Sequence, residues 1–476
     1  MTELNGSSHL LHIERGETII ELRPYQKEAI EQIYRQHRVL LGDEQGLGKT
    51  RTTLEGLVKL AGDEAQFLIF CPRVALGTWK SEGKKWFGFN SLIYTGETKP
   101  KDRLLLWEQF QDERPELLIA TFAMMDELLT KRRNWTGIAA DEYHKVGLMN
   151  RNSATFKKFK KFHTRFLVLL TGTPVRKGPQ DLFAPLHLIS SHRFSSYWEF
   201  VNKYCVRIPD AFGYTIEPKP KNPAQFKELI APYVIRRTKK KVLKELPPLQ
   251  RQPVLLDMTS KQKQYYDELS ETGILQTPEG VIACPNEAVK ILRLRQLLTT
   301  PQIFGLPEKG AALESLLELV EECFDIDEPV AICTAFRPTL DFIEEDLSTL
   351  TNRIYKIHGG MKKPARDVAD AFQNDKSTKK AIIFTITSGM SFDAYAASKG
   401  FVVGPEWSAI DLKQAEARMH RLGQLNHVNM RYLLHPGTIE DGVIDRLDDN
   451  TMAANWTLNI DDMLELSKHL RRDVKN

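Results

Sequence analysis

The sequence predicts an α/β protein made of two halves, each built on a parallel sheet. Short runs of apolar, β-favouring residues recur along the chain without polar alternation, as strands do when helices cover both faces of a sheet. Several of these runs are followed by segments of helical period. The rhythm lapses from about residue 185 to about residue 250, where aromatics, prolines and lysines dominate, and it resumes from about residue 310.

In the first half, strands are expected at RVLL (38–41), QFLIFC (66–71), LLIATF (117–122), GIAADE (137–142) and RFLVLLTGT (165–173). After GKT, Leu54, Leu57 and Ala61 fall at i, i+3 and i+7, one face of a helix. The irregular middle ends in YVIRRTKKKVLKELPPLQ (233–250), where LPPL breaks any helix and reads as a linker. The second half offers strands at PVAICTAF (329–336), RIYKIHG (353–359), KAIIFTIT (380–387), FVVGPE (401–406) and NMRYLLH (429–435). No short internal repeat or low-complexity tract is present.

Composition narrows the class without naming a partner. Lysine plus arginine total 66 against 62 acidic residues, a net charge of +4, so any nucleic-acid surface must come from local clustering. Five scattered cysteines with no C-x-x-C pair suit neither zinc nor a disulfide framework. A reducing, intracellular setting follows, cytoplasmic or nucleoid-associated. The opening MTELNGSSHLLHIERGE has no basic-then-apolar signal pattern, and no apolar run approaches the roughly 20 residues that span a bilayer.

The chemistry is expected at LLGDEQGLGKTRTTLEGL (40–57), read as a strand, a turn and a helix start. Such a turn aims backbone N–H groups and the positive end of a helix dipole at one spot, which suits a phosphate. Gly46 and Gly48 permit the backbone angles, Lys49 would reach the β/γ-phosphates and the Thr50 hydroxyl would ligate Mg²⁺. Asp43 stands where the usual phosphate-loop formula has its first glycine.

GIAADEYH would supply an acidic pair, Asp141 for Mg²⁺ and Glu142 to polarise a water, although acids after a strand also serve as helix N-caps. In QAEARMHRLGQ (414–424), Gln414, Arg418 and Arg421 share one helical face. Guanidiniums so placed suit a transferring phosphoryl group; a solvated helix with Glu416 pairing its neighbours is the plain alternative.

Taken together and in this order, these elements resemble the Swi/Snf-type ATPases of helicase superfamily two, from about Leu22 to about Glu440. LRPYQ (22–26) resembles the adenine-contacting segment, with Gln26 as the contact. DEQGLGKT matches the first motif, whose aspartate is the family's own variant, and Gly46, Leu47, Gly48, Lys49 and Thr50 are its nucleotide-binding run. CPRVALGTWKSEGKKW (71–86) looks like motif Ia, LLTGTPVRKGPQDLF (169–183) like motif III, and PYVIRRTKKKVLKELPP (232–248) like a block particular to the family. QAEARMHRLGQ is close to the last motif, with Gln414 beside the nucleotide.

Two departures stand out. Tyr143 replaces a small residue, and TSGMSFDAY (387–395) keeps only Gly389 of the fifth motif's glycines, with Ser391 and Asp393 in place of a glycine and an asparagine. Asp393 is expected to repel DNA phosphate and weaken DNA stimulation.

The resemblance implies two RecA-like P-loop lobes with helical insertions between them. The expected divisions are 1–185 for the ATP-binding lobe, 186–250 for the insertion and linker, 251–445 for the second lobe and 446–476 for a helical tail. It implies a motor that hydrolyses ATP with Mg²⁺ to move along duplex DNA and remodel protein–DNA or branched DNA. DNA contacts, to the backbone without base reading, are expected from Arg73, Thr171, Thr173, Ser388 and Lys239, the last within one of the basic clusters KRR (131–133), FKKFKKFH (156–163) and RRTKKK (236–241). A separate reader domain is not expected, since little of the chain lies beyond the matched core. The alternatives are a strand-separating helicase, an RNA-stimulated ATPase and a nucleotide-binding protein without turnover. A paired-acid pattern at Asp210, Glu217 and Lys219 is expected to be a loop rather than a nuclease site, because Pro218 would disrupt a presenting strand.

Overall fold

The computed structural model describes residues 21–61, 65–131, 133–210, 213–386 and 392–441. Two parallel sheets organise them, as the apolar runs require. The strands of the first half are Arg38–Leu41 (β1), Phe67–Phe70 (β2), Ser91–Tyr94 (β3), Leu117–Ala120 (β4), Asn134–Asp141 (β5) and His163–Leu170 (β6). A hairpin, Cys205–Asp210 (β7) with Gly213–Pro220 (β8), precedes the two-residue strand Val234–Ile235 (β9). The first sheet runs in the order β3-β4-β2-β5-β6-β1-β9, parallel throughout.

The second sheet is built from Leu249–Leu255 (β10), Val330–Thr334 (β13), Ile354–Ile357 (β14), Ala381–Thr385 (β15), Lys399–Val403 (β16) and Val428–Leu434 (β17), after a hairpin of Ile274–Thr277 (β11) and Gly280–Ala283 (β12). Its order is β10-β17-β16-β13-β15-β14, again parallel.

Each face of each sheet carries its own apolar cluster, which is why the strands lack polar alternation. In β1, Leu40 enters one cluster while Val39 and Leu41 enter the cluster on the opposite face. Leu54 and Leu57, on the expected face of the helix Lys49–Ala61, are fully buried in the latter cluster. No described helix is long and apolar enough to cross a membrane.

Each expected strand is found, with ends shifted by a few residues. The differences lie where pairing is long-range. β9 falls in the segment read as a linker, yet Leu40 pairs with Val234 and Leu41 with Ile235, so the basic block that follows begins at the edge of the first sheet. The residues around Pro218 form β8 rather than a loop, since a two-stranded hairpin has edges that tolerate a missing N–H. The expected tail 446–476 and the positions Ser388, Gly389 and Ser391 lie outside the described residues.

Candidate active site

The site forms at the carboxyl ends of the strands, where open α/β sheets bind ligands. β1 delivers the loop of residues 42–48, and the helix Lys49–Ala61 starts directly after it. Gly46 and Gly48 adopt φ of 85° and 74°, which side chains disfavour. A Cβ on Gly48 would lie only 2.6 Å from Gln26 Nε2, so the second glycine is demanded by packing as well. Lys49 Nζ donates to the carbonyls of Asp43 (2.9 Å) and Glu44 (3.4 Å) of its own loop. Burial lowers its pKa, opposed by Glu142 and Asp141.

Asp43, the odd residue of the loop, is buried and clamped by Arg237, whose Nε and Nη2 reach its two oxygens at 3.0 and 2.9 Å. Its side chain is structural. That resolves the missing glycine, because a planar fork to a carboxylate fixes the strand exit firmly.

β5 ends at Asp141, and Glu142 follows with a left-handed φ of 49°. Trp79 Nε1 donates to Asp141 Oδ2 at 3.0 Å, leaving the other oxygen to the cleft. Burial raises the Asp141 pKa, and the neighbouring Glu142 charge adds to it. Burial pushes Glu142 upward too, but the bond and charge of His144 and the ammoniums of Lys49 and Lys145 outweigh this and hold it well below the carboxylate range. His144 Nδ1 lies 3.1 Å from Glu142 Oε2 and 2.7 Å from Thr171 Oγ1, which links the acid to the segment after β6.

The second sheet contributes the helix Ala409–Met419. Glu416 is buried and bound by Arg251 Nε and Nη2 of β10, each at 2.6 Å, and by the Tyr432 hydroxyl of β17 at 2.5 Å. The plain alternative of a solvated helix is therefore overturned. With Glu416 fastened to the sheet, the helix carries Gln414 and Arg418 to the cleft, whereas Arg421 does not share their helical face as expected: the helix ends at Met419, and Arg421 reaches the cleft from the turn that follows. Gln424 Nε2 holds the end of this segment through the carbonyls of Tyr395 (3.0 Å) and Ala397 (2.9 Å).

One cleft of about 480 Å³ is lined by groups of both sheets, among them Gly46, Gly48, Lys49, Thr50, Asp141, Glu142, Asp393, Gln414, Arg418 and Arg421. The volume is ordinary for a small-molecule site. Lys145 Nζ bridges it by donating to Asp411 Oδ1 (3.0 Å) and Gln414 Oε1 (3.1 Å), and Arg366 Nη1 donates to Ser81 Oγ at 2.8 Å. Gln414 Nε2 is buried with no partner among the described residues. Arg418 has no ion pair there either; it stacks 5.3 Å from the Phe392 ring, and burial with the adjacent Arg421 charge pushes its pKa down to about 10. A cleft holding surplus cations and an orphaned amide donor is suited to a polyanion. Thr50 and Asp141 are the oxygen donors that could hold Mg²⁺, a cation that takes few protein ligands and shares phosphate oxygens.

Several expected contacts fall elsewhere. Gln26 is buried behind Gly48, its Oε1 accepting from the Arg23 amide at 3.0 Å, and it does not line the cleft. Leu47 points away into a small apolar cluster with Tyr25 and Leu243. Thr171 is fully buried, and its Oγ1 accepts from the Thr173 amide at 2.9 Å, so it lies behind the acids rather than on a DNA-facing surface. Lys239 is 4% exposed and is no outward contact. Arg73 remains exposed, paired with Glu97. Asp393 lines the cleft and pairs with Arg421. Tyr143, the other departure, fills the core of the first sheet.

Sequence reasoning missed Trp79 and the Glu416 clamp. Trp79 sits within the motif Ia stretch, but nothing local to that stretch says that its indole reaches a carboxylate 62 residues away.

The SNF2-related domain model matches residues 25–303. The CHD3-type chromatin-remodeling factor CHR7 of Arabidopsis thaliana is 27% identical over 441 residues, covering 86% of this chain and 34% of its own length. The Chromodomain-helicase-DNA-binding protein 1-like of Mus musculus is 27% identical over 476 aligned residues, covering 93% of this chain and 51% of its own. The chain thus spans only a third to a half of these relatives. Among solved structures, the Sulfolobus solfataricus SWI2/SNF2 ATPase core in complex with dsDNA is similar at 22% identity and a TM-score of 0.43, covering 91% of this chain and 95% of that one.

Proposed function

Because the chain belongs to the SNF2-related family, whose domain model spans residues 25–303, we propose that it is an ATP hydrolase driven by duplex DNA and moving along it. The observation that carries this reading is the shared cleft, in which the glycine turn of the first sheet faces Arg418 and Arg421 of the second. Lys49 would exchange its loop carbonyls for phosphate oxygens, and the amides of the loop and helix start would cradle the rest. Thr50 and Asp141 would hold Mg²⁺, which when bound neutralises phosphate charge. Glu142, ionised and oriented by His144, would position the attacking water. Arg418 and Arg421 would meet the charge that develops on the transferred group. Lys145 and Arg366 bond across the cleft, and binding and release of nucleotide would remake these bonds and shift one sheet against the other.

The names of the relatives speak of chromatin remodelling and DNA binding. For this chain we propose backbone contact with duplex DNA, through exposed basic groups such as Arg73, Lys157, Lys160 and Lys161, without base reading. ATP turnover measured without nucleic acid, with single-stranded DNA, with duplex DNA and with duplex RNA, at 50 and 200 mM salt, tests this. Duplex DNA is expected to stimulate most. Six to ten phosphate contacts would weaken its apparent affinity about 10³- to 10⁵-fold across that salt range. Stimulation by RNA alone, or no nucleic-acid response, would overturn the reading.

Asp393 has a place in this scheme. Its carboxylate holds Arg421 while adding negative charge to the cleft that a triphosphate must enter. Both partners are partly solvated, at 25% and 41% side-chain exposure, so the pair is a modest one. Asp393→Asn is expected to lower the KM for ATP about two- to fivefold, the range of a partly exposed ion pair. Steady-state kinetics at saturating DNA reads this, and an unchanged or higher KM refutes the competition.

A further inference from the structure

The basic block RRTKKK, which follows β9, lies on the phosphate loop. Arg236 Nη1 donates to the carbonyls of Gly42 (2.5 Å) and Gly172 (3.1 Å), and Arg237 clamps Asp43. Lys239 opens the short helix Lys239–Val242 and donates its amide to Glu44 Oε2 at 2.7 Å. These three residues therefore fasten the linker to consecutive parts of one loop.

The Lys239 side chain then leaves the first sheet's territory. Its ammonium donates to the carbonyl of His420, the residue just before Arg421. A Cβ placed on Gly46 would lie 3.3 Å from Lys239 Cε and 3.5 Å from Arg421 Cβ. The lysine stem and the Arg421 Cβ therefore both pack close against the glycine turn, where a side chain on Gly46 would crowd them. Lys239 is 4% exposed, and no ion pair holds its ammonium among the described residues, so the carbonyl is the partner that satisfies it.

We propose that Lys239 is a positioning residue that sets where Arg421 stands over the phosphate loop, by tying the carbonyl of His420 to a linker fixed on Glu44. The proposal rests on the ATPase reading above and deepens it. Its physical content is that a guanidinium acting on a phosphoryl group must be placed to within a fraction of an ångström, and that a tether at the adjacent peptide does this. Lysine suits the task because a long apolar stem can lie along Gly46 while its head reaches across.

The test uses the full chain carrying Lys239→Met or Lys239→Gln, both of which keep a stem but cannot donate at that reach. The expected result is a kcat lowered about ten- to hundredfold, with the affinity for a fluorescent ATP analogue changed far less. Combined with Arg421→Ala, either change should add no further loss, since the tether acts only through that arginine. Without nucleotide, amide hydrogen exchange over 418–424 should quicken while the strands of both sheets stay protected. An unchanged kcat, or losses that multiply with Arg421→Ala, overturns the proposal. Absence of turnover in the wild type would defeat the ATPase reading instead, and exchange would then decide the tether alone: equal rates at 418–424 would end it.

Discussion

Glu142→Gln is expected to reduce ATP turnover by about 10²- to 10⁴-fold, the range lost when a positioned acid–base group is removed, while nucleotide binding persists. Glu142 sits one residue beyond β5 at a φ of 49°, a conformation that turns its side chain out of the strand line and toward Gln45, whose Nε2 is 3.5 Å from Oε1. A buried carboxyl would ordinarily be raised toward neutrality. Here His144, Lys49 and Lys145 hold it in the ionised form. A glutamine fills the same space and keeps an oxygen, but it cannot accept a proton from water. The measurement is single-turnover hydrolysis beside equilibrium binding of a fluorescent ATP analogue. Turnover within a few-fold of wild type would remove Glu142 from the chemistry. Loss of binding instead would mark it as a structural acid.

The same acid shows which parts of the molecule could be read from sequence. Short-range chemistry was legible. The loop 43–50, the pair Asp141 and Glu142, and the helical spacing of Gln414 and Arg418 are local patterns whose geometry follows from strand ends and helix period, while Arg421 lies in the turn past the helix end. The central strands are legible because a sheet covered on both faces demands continuous apolar runs; the edge strands β3, β9 and β10 are not.

What pattern could not supply was partnership across the fold. RRTKKK looks the same whether it meets solvent, DNA or a loop carbonyl, and the pairing of β9 with β1 sets Arg236, Arg237 and Lys239 against the phosphate loop while Lys240 and Lys241 stay exposed. Glu416 looks like a surface acid until β10 brings Arg251 beside it. Motif III places Thr171 at DNA, yet its hydroxyl is buried against His144, and nothing near Asp393 in sequence announces that it pairs with Arg421. In each case the deciding contact spans more sequence than any periodicity covers.

The two arginines lead to the last prediction, which separates their roles. Arg418→Ala and Arg421→Ala are each expected to lower kcat about 10³-fold, the lower bound for a guanidinium stabilising a transferring phosphoryl group. Lysine at either position should restore little, because a point charge lacks the planar fork. Their effects on KM should differ. Removing Arg418, which has no carboxylate partner among the described residues, leaves the Asp393–Arg421 pair intact and the cleft charge otherwise unaltered. Removing Arg421 strands Asp393 as an uncompensated carboxylate in the cleft, so KM for ATP should rise along with the loss of kcat. Asp393→Asn added to Arg421→Ala should then bring KM back toward the wild-type value without recovering kcat, because the repulsion is relieved and the missing cation is not replaced. Such a split requires that the arginine and the aspartate face the same phosphates. Equal KM values for the two alanine variants, or a second substitution that leaves KM high, would place Asp393 outside the path of the nucleotide.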